Sequence, residues 1–191
     1  MPLTKRMAVI VALTAALYVV VSVPALPSLL HGGVFGKNAV ASLLLCAALV
    51  ALSAIDTETY LLPDVITLPL VAAGLAQHWQ NGNAVLMEHA VAAALAFVLL
   101  WGVALLYKSW RGRSGLGLGD AKLFAGSGAW LGPAALATVL GYAALAALAS
   151  IAVASLRGNS VTLTTRIAFG PYLAFATWLV WLYGPIGFAP E

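Results

Sequence analysis

Long apolar runs without a charged residue constrain this chain more than any other feature. The run Met7–Leu30 contains no Asp, Glu, Lys or Arg, and a helix of roughly 20 apolar residues is long enough to cross a lipid bilayer. Hydrocarbon offers no water to backbone N–H and C=O groups, so a spanning segment must satisfy its own hydrogen bonds. Because a helix does this within one segment, the sequence predicts an all-α membrane helix bundle.

Charged and helix-breaking residues divide the chain into about seven expected transmembrane helices. The fifth is short and starts at a glycine-rich motif that ends in Asp120. The pattern predicts an N-terminal membrane helix and connector at 1–37 and a six-helix membrane domain at 38–191, with polar loops at 57–60, 78–88 and 157–166. The expected spans are Met7–Leu30, Asn38–Ile55, Val65–Ala76, His89–Tyr107, Ala121–Leu131, Ala134–Leu156 and Ile167–Phe188.

The first apolar run has a second interpretation as a cleaved signal peptide. The run is long for a signal peptide, and Pro24-Ala25-Leu26-Pro27 near its end lacks a clean small-x-small cleavage pattern. We therefore expect the first helix to stay in the protein as a membrane span.

Charged residues are scarce: they make up 8% of the chain, and the formal net charge is +3. With the N-terminus in the cytoplasm, the expected crossings place eight of the nine basic residues on the cytoplasmic side and Lys37 alone outside. The positive-inside rule predicts this asymmetry, so the basic residues indicate topology rather than a nucleic-acid partner. The single cysteine, Cys46, excludes a disulfide or a thiolate zinc site within one chain.

Two aspartates stand at the ends of apolar segments. Asp56 closes the second expected span and Asp120 begins the fifth, and the same topology places both on the cytoplasmic side with Asp64. Two carboxylates that share a site cannot both ionise easily, which suits paired acid–base chemistry. Because a helix N-terminus stabilises negative charge, we expect Asp120 to be the ionised base at rest and Asp56 the protonated acid. Proton-coupled transport and a non-catalytic membrane scaffold are the alternative functions.

Five residues beside the aspartates are expected to support the site: Gly117, Gly119, Lys122, Asp64 and Pro63. The alternate glycines allow the backbone to pack closely before the second aspartate. Lys122 either pairs with a carboxylate or anchors the chain at the membrane interface. Pro63 and Asp64 fit the first turn of a helix, where Asp64 is alternatively a helix cap.

No metal or cofactor is expected. The histidines His31, His78 and His89 are scattered along the chain and fall on the outer side of the expected topology. A zinc site would need three or four such ligands in one place.

Four blocks in order make the chain resemble the type IV prepilin peptidases, which are membrane aspartyl peptidases. Gly117-Leu118-Gly119-Asp120 is similar to their Gly-x-Gly-Asp motif, and Ile55-Asp56 with Leu62-Pro63-Asp64 and Pro69 is similar to their first-aspartate block. Gly128–Gly132 and Phe169–Ala174 resemble two further blocks. A lone Gly-x-Gly-Asp motif would be weak, because presenilin-type proteases share it.

The resemblance implies an endopeptidase in the bacterial inner membrane that cleaves the short basic leader of type IV pilin or pseudopilin precursors at the cytoplasmic face. It implies Asp56 and Asp120 as the catalytic pair, 38–191 as the peptidase domain, and no metal for the peptidase step. Many members also carry a cytoplasmic domain with two Cys-x-x-Cys pairs, associated with N-methylation. The connector at 24–37 is too short for that domain, so we expect a short form in which methyltransferase activity is absent or is supplied by another protein.

Overall fold

The computed structural model describes residues 12, 14–20, 22, 34–112, 117–157 and 168–186. Within these ranges the regular structure is helical and there is no strand, which confirms the all-α prediction. Residues 14–20 are helical, and a 3-10 turn covers Trp79–Asn81. The longer helices are α1 (Val34–Thr59), α2 (Asp64–His78), α3 (Asn83–Arg111), α4 (Leu118–Leu131), α5 (Pro133–Leu156) and α6 (Gly170–Tyr183).

Three described helices are long and apolar enough to cross a membrane: Val40–Thr59 in α1, Asn83–Arg111 and Pro133–Leu156. Together with the 63% hydrophobic composition they make the chain a multi-pass membrane protein. Helices α2, α4 and α6 contain 15, 14 and 14 residues. A helix of 14 residues extends only about 21 Å, against a hydrocarbon core of about 30 Å. The expected count of about seven spans is therefore not confirmed among the described residues.

Helix α4 lies inside the bundle. Every residue from Asp120 to Trp130 except Lys122 is buried, and the helix packs most extensively against α2 and α3. Small residues permit this contact, because a Cβ atom on Gly128 would lie 2.7 Å from the carbonyl group of Ala92 in α3. The helix starts within the Gly-x-Gly-Asp motif, as the sequence predicts. A short helix enclosed by others does not have to match the thickness of the bilayer.

Helix α1 extends past the end that the sequence predicted. The loop expected at 57–60 is wrong, because α1 continues to Thr59 and Asp56 lies within its last turn. The hydroxyls of Thr57 and Thr59 donate to carbonyls of the preceding turn at 2.8 and 2.9 Å, which satisfies acceptors near the helix end. Tyr60 then leaves the helix with a φ of 55°.

Helix α3 is also longer than expected. The polar loop predicted at 78–88 is wrong, because Gly82 takes a φ of 100° after the turn Trp79–Asn81 and the helix begins at the next residue. At the other end, Lys108 and Arg111 lie in the last turn, where positive charge interacts favourably with the terminal carbonyls. The apolar run therefore marks only the central part of this helix.

The last two helices follow the predicted order. Helix α5 matches the expected sixth span within one residue, whereas α6 begins at Gly170 instead of Ile167. Pro171 suits the first turn of α6, since its missing N–H has no helical partner to lose. Apart from Arg157, the loop expected at 157–166 lies outside the described residues, as do parts of the first expected span.

The described N-terminal residues pack against the last helix. Tyr18 is buried, with its ring stacked on Trp178 at 6.0 Å and edge-on to Phe175 at 5.8 Å. Trp178 Nε1 also donates to Ser22 Oγ at 3.2 Å. Helix α1 starts at Val34, ahead of the expected domain boundary. The division into two domains stays a prediction.

Candidate active site

One open cleft, with a volume of about 230 Å³, brings the two predicted aspartates together. Asp56 and Asp120 are only 4% and 7% exposed, and they are the buried charged side chains of the described ranges. Pro63 is the one expected supporting residue that does not line the cleft; it precedes α2 as its N-cap residue. The lining residues are Asp56, Tyr60, Leu61, Leu62, Asp64, Gly117, Leu118, Gly119, Asp120 and Lys122.

Asp120 is fixed by the local structure at the start of α4. It is the third residue of the helix, and its Oδ2 accepts a hydrogen bond from the N–H of Gly117, the N-cap residue, at 3.2 Å. This contact satisfies one of the donors that every helix N-terminus leaves unpaired. Oδ1 of the same carboxyl group is buried and has no hydrogen-bond partner. That oxygen is available to a molecule in the cleft.

Asp56 is fixed by a contact across the bundle. Its Oδ2 accepts a hydrogen bond from the N–H of Gly170 at 3.1 Å. Gly170 is the first residue of α6, so the carboxylate faces the positive end of that helix dipole. A Cβ atom on Gly170 would lie 2.6 Å from Asp56 Oδ2, so no other residue fits there without displacing the carboxylate.

Leu62 holds the helix starts around the cleft. A Cβ atom on Gly119 would lie 2.7 Å from Leu62 Cβ, and one on Gly170 would lie 3.3 Å from Leu62 Cδ1. The side chain therefore packs between the starts of α4 and α6. This apolar contact places the start of α4, which carries Asp120, against the start of α6, whose first residue donates to Asp56.

Burial of Asp120 works against the ionised state that was expected from its place at a helix N-terminus. Burial first, and then the ionised Asp56 nearby, raise the pKa of Asp120 to about 6, while the Gly117 N–H opposes the rise. Asp120 lies outside the three spanning helices. A helix N-terminus contributes about 0.3–1 kcal/mol, whereas a rise from 3.8 to about 6 corresponds to about 3 kcal/mol. Burial therefore outweighs the dipole, and the pKa of Asp120 lies above its ordinary value.

Lys122 pairs with Asp64 at the mouth of the cleft. Its Nζ donates to Asp64 Oδ1 at 2.6 Å, and the two side chains are 20% and 56% exposed. Of the two roles expected for Lys122, the structure therefore shows the pairing with a carboxylate. Asp64 is the first residue of α2 while Pro63 takes the N-cap position, so Asp64 is not the cap residue.

Comparison with known proteins identifies the family. The family model described as "Type IV leader peptidase family" matches residues 43–156, more than half of the chain. The chain belongs to the type IV leader peptidase family. The matched range contains Asp56 and Asp120, and the resemblance found in the sequence motifs is confirmed.

Relatives in this family are longer than the chain. A protein named "Prepilin leader peptidase/N-methyltransferase" from Aeromonas hydrophila is 38% identical over 184 residues, which are 96% of this chain and 60% of the relative. Proteins of the same name from Burkholderia pseudomallei (strain 1026b) and Pseudomonas aeruginosa are 44% and 39% identical over 142 and 150 residues. These matches cover 73% and 78% of this chain and 46% and 51% of the relatives. The chain thus spans about half the length of these relatives. No solved structure matches it significantly.

Sequence reasoning missed several residues in and beside the cleft of this family member. Gly170 lies outside the matched range, and its only signal was the Phe-Gly-Pro block in which it stands. Leu62 stands beside Pro63 in the first-aspartate block, but nothing local shows that it packs between two helix starts. Tyr60, Leu61 and Leu118 gave no signal, because an apolar residue at a helix end is ordinary in a membrane protein.

Two histidines that the sequence separates are neighbours. The expectation that they are scattered is wrong for His78 and His89, whose rings stack with centroids 3.6 Å apart. His89 Nδ1 lies 3.0 Å from the carbonyl oxygen of Ala129, and His78 Nε2 lies 3.3 Å from that of Trp130. Both rings therefore lie within hydrogen-bonding distance of carbonyl groups in the last turn of α4. Within the described ranges, no group of three or more His, Cys, Asp or Glu side chains could hold a metal ion; His31 lies outside them.

Proposed function

We propose that the chain is an intramembrane aspartyl endopeptidase that cleaves the short basic leader of type IV pilin or pseudopilin precursors. The observation that carries the proposal is the pair of buried carboxylates, Asp56 and Asp120, that meet in one cleft of a type IV leader peptidase family member. We place the enzyme in the bacterial inner membrane, with its N-terminus and cleft on the cytoplasmic side.

In the proposed reaction the two aspartates play different roles. Asp56 takes a proton from water as the water oxygen bonds to the scissile carbonyl carbon, and Asp120 gives its proton to the carbonyl oxygen. As the intermediate breaks down, Asp56 returns its proton to the leaving amine and the C–N bond breaks. Asp120 takes back a hydroxyl proton, which restores both groups.

The contacts of each aspartate support these roles. The Gly170 N–H stabilises the ionised form of Asp56, as a base requires. The raised pKa of Asp120 suits a proton donor, and its unpartnered Oδ1 can meet a substrate without breaking an existing hydrogen bond. Asp64, Lys122, Gly117 and Gly119 line the same cleft as supporting residues.

The test is cleavage of a pilin-like precursor in membranes that contain the wild type, Asp56→Asn or Asp120→Asn. Asparagine keeps the side-chain size but cannot exchange the proton, so each variant should cleave at least about 1,000-fold more slowly. Glu58→Gln is the matched control, since Glu58 lies in the same helix as Asp56 but does not line the cleft.

Other outcomes would decide against this function. Near-normal cleavage by either asparagine variant would make that aspartate structural. A wild type that cleaves no precursor but moves protons in a manner dependent on Asp56 and Asp120 would favour proton-coupled transport. A wild type that shows neither cleavage nor proton movement would favour a non-catalytic membrane scaffold.

A further inference from the structure

The cleft is a negatively charged site in a positively charged chain. The chain carries nine basic and six acidic residues, and three of those six acids line the cleft with a single base, Lys122. Asp120 is more than nine-tenths buried, and its Oδ1 lacks a hydrogen-bond partner at this cleft. A buried oxygen without a partner is costly, which indicates a site built to receive a ligand. The local charge favours a ligand segment that is cationic.

Asp64 is the acid best placed to meet a cation that enters from solvent. Its side chain is 56% exposed, whereas Asp56 and Asp120 are nearly enclosed. It starts α2, where the helix dipole favours its negative charge. Oδ1 is held by the Lys122 ammonium, and a carboxylate has acceptor sites on both oxygens.

Lys122 balances the charge of Asp64 within the same cleft. Its side chain is mostly enclosed, at 20% exposure, and it lies two residues after Asp120 in α4. An ion pair with one largely exposed partner is weakened by solvent, so another cation can compete for it. Lys122 can therefore neutralise Asp64 before a substrate binds and still be displaced by a cationic substrate side chain.

We propose that Asp64 is a specificity-determining residue that binds the basic substrate side chain nearest to the scissile bond, and that Lys122 is the internal cation it displaces. The inference rests on the proposed endopeptidase function and deepens it. It assigns recognition of the leader charge to one carboxylate, separate from the pair that performs the chemistry.

The experiment measures kcat and KM for three precursors that differ at one position: the basic residue nearest to the cleavage site is Lys, Gln or Glu. The wild type should show a KM about tenfold lower for the Lys precursor than for the Gln precursor, as expected for one charge-assisted contact. Asp64→Asn should reduce that ratio to near one. Asp64→Lys should invert the preference toward the Glu precursor.

Two further variants separate a specific contact from a general charge effect. Lys122→Met removes the competing cation, so it should preserve or increase the preference for Lys. Glu58→Gln removes one negative charge outside the cleft and should keep the wild-type ratio. If Asp64→Lys does not fold, Asp64→Asn still tests the role of Asp64.

The outcomes distinguish this inference from the function beneath it. A wild type that cleaves none of the precursors refutes the endopeptidase proposal itself. A wild type that cleaves Lys and Gln precursors with equal KM, or an Asp64→Asn variant that retains the full preference, overturns the role of Asp64 while the peptidase stands.

Discussion

The N–H of Gly170 donates a hydrogen bond to Oδ2 of Asp56 at 3.1 Å, across 114 residues of sequence. The contact joins the start of α6 to the last turn of α1, and it gives Asp56 the electrostatic environment of a helix N-terminus. The carboxylate that the sequence placed at the unfavourable end of its own helix is therefore stabilised by the favourable end of another.

Gly170→Ala should reduce precursor cleavage at least about 100-fold, because a Cβ atom 2.6 Å from Asp56 Oδ2 must displace the carboxylate or the start of α6. The kcat/KM of detergent-purified protein is the measurement. Gly141→Ala is the matched control, since its Cβ would meet no atom within 4 Å. Equal activity of the two variants would show that the Gly170–Asp56 contact does not position the base.

Asp120→Asn should stabilise the protein above pH 6. For an Asp with a raised pKa, the native state binds its proton more tightly than the unfolded state, so stability falls as pH rises from about 4 to about 6. Asparagine does not titrate, so the variant should gain about 3 kcal/mol relative to wild type above that window. Below pH 4 the difference should vanish. Thermal unfolding in detergent at both pH values checks this, and a difference independent of pH would contradict it.

Asp56→Asn should lower the pKa of Asp120 from about 6, because it removes the negative charge that helps to hold the proton. Burial remains, so the pKa should stay above the ordinary value of 3.8. The infrared carbonyl band of the protonated carboxyl group, followed against pH, measures it. Asp120→Asn identifies the band by its loss. An unchanged titration in Asp56→Asn would mean that the two groups do not interact.

Gly128→Ala should destabilise the bundle by about 1–3 kcal/mol, since its Cβ would lie 2.7 Å from the Ala92 carbonyl group in α3 and backbone cannot yield as a side chain can. Gly102→Ala is the control within α3, because its Cβ would meet no atom within 4 Å and alanine favours a helix. Unfolding of both variants in detergent gives the comparison. An equal change in stability in the two variants would show that the close contact at Gly128 does not limit the packing of α4 on α3.

Single cysteines at Glu58 and Glu88, in a Cys46→Ala background, should be labelled from opposite sides of the membrane. Glu58 lies in the last turn of α1 near the cleft, and Glu88 lies near the start of the spanning helix α3. The proposed topology places the first in the cytoplasm and the second outside. Labelling of intact cells with an impermeant maleimide measures this. Labelling of the Glu58→Cys variant in intact cells would show that the orientation is the opposite of the proposed one.

Local features allowed part of the site to be predicted. Asp120 falls in the first turn of a helix because the glycines before it and the apolar residues after it are adjacent in sequence, and local backbone preferences act over that distance. The end of α1 was missed for an equally local reason: Thr57 and Thr59 look like loop residues by polarity, but their hydroxyls return to the helix carbonyls. Polarity alone does not distinguish these two uses of a hydroxyl.

The sequence by itself was enough to predict an all-α membrane protein, its family and Asp56 and Asp120 as the candidate catalytic pair. Hydropathy runs and short motifs are properties of adjacent residues, so they can be read without the fold. Only the tertiary structure decided what Asp56 and Asp120 each contact, that Lys122 pairs with Asp64, and that His78 stacks on His89. The raised pKa of Asp120 belongs to this second group. It follows from burial and from a charge 64 residues away in the chain, and both arise only when α4 packs inside the other helices.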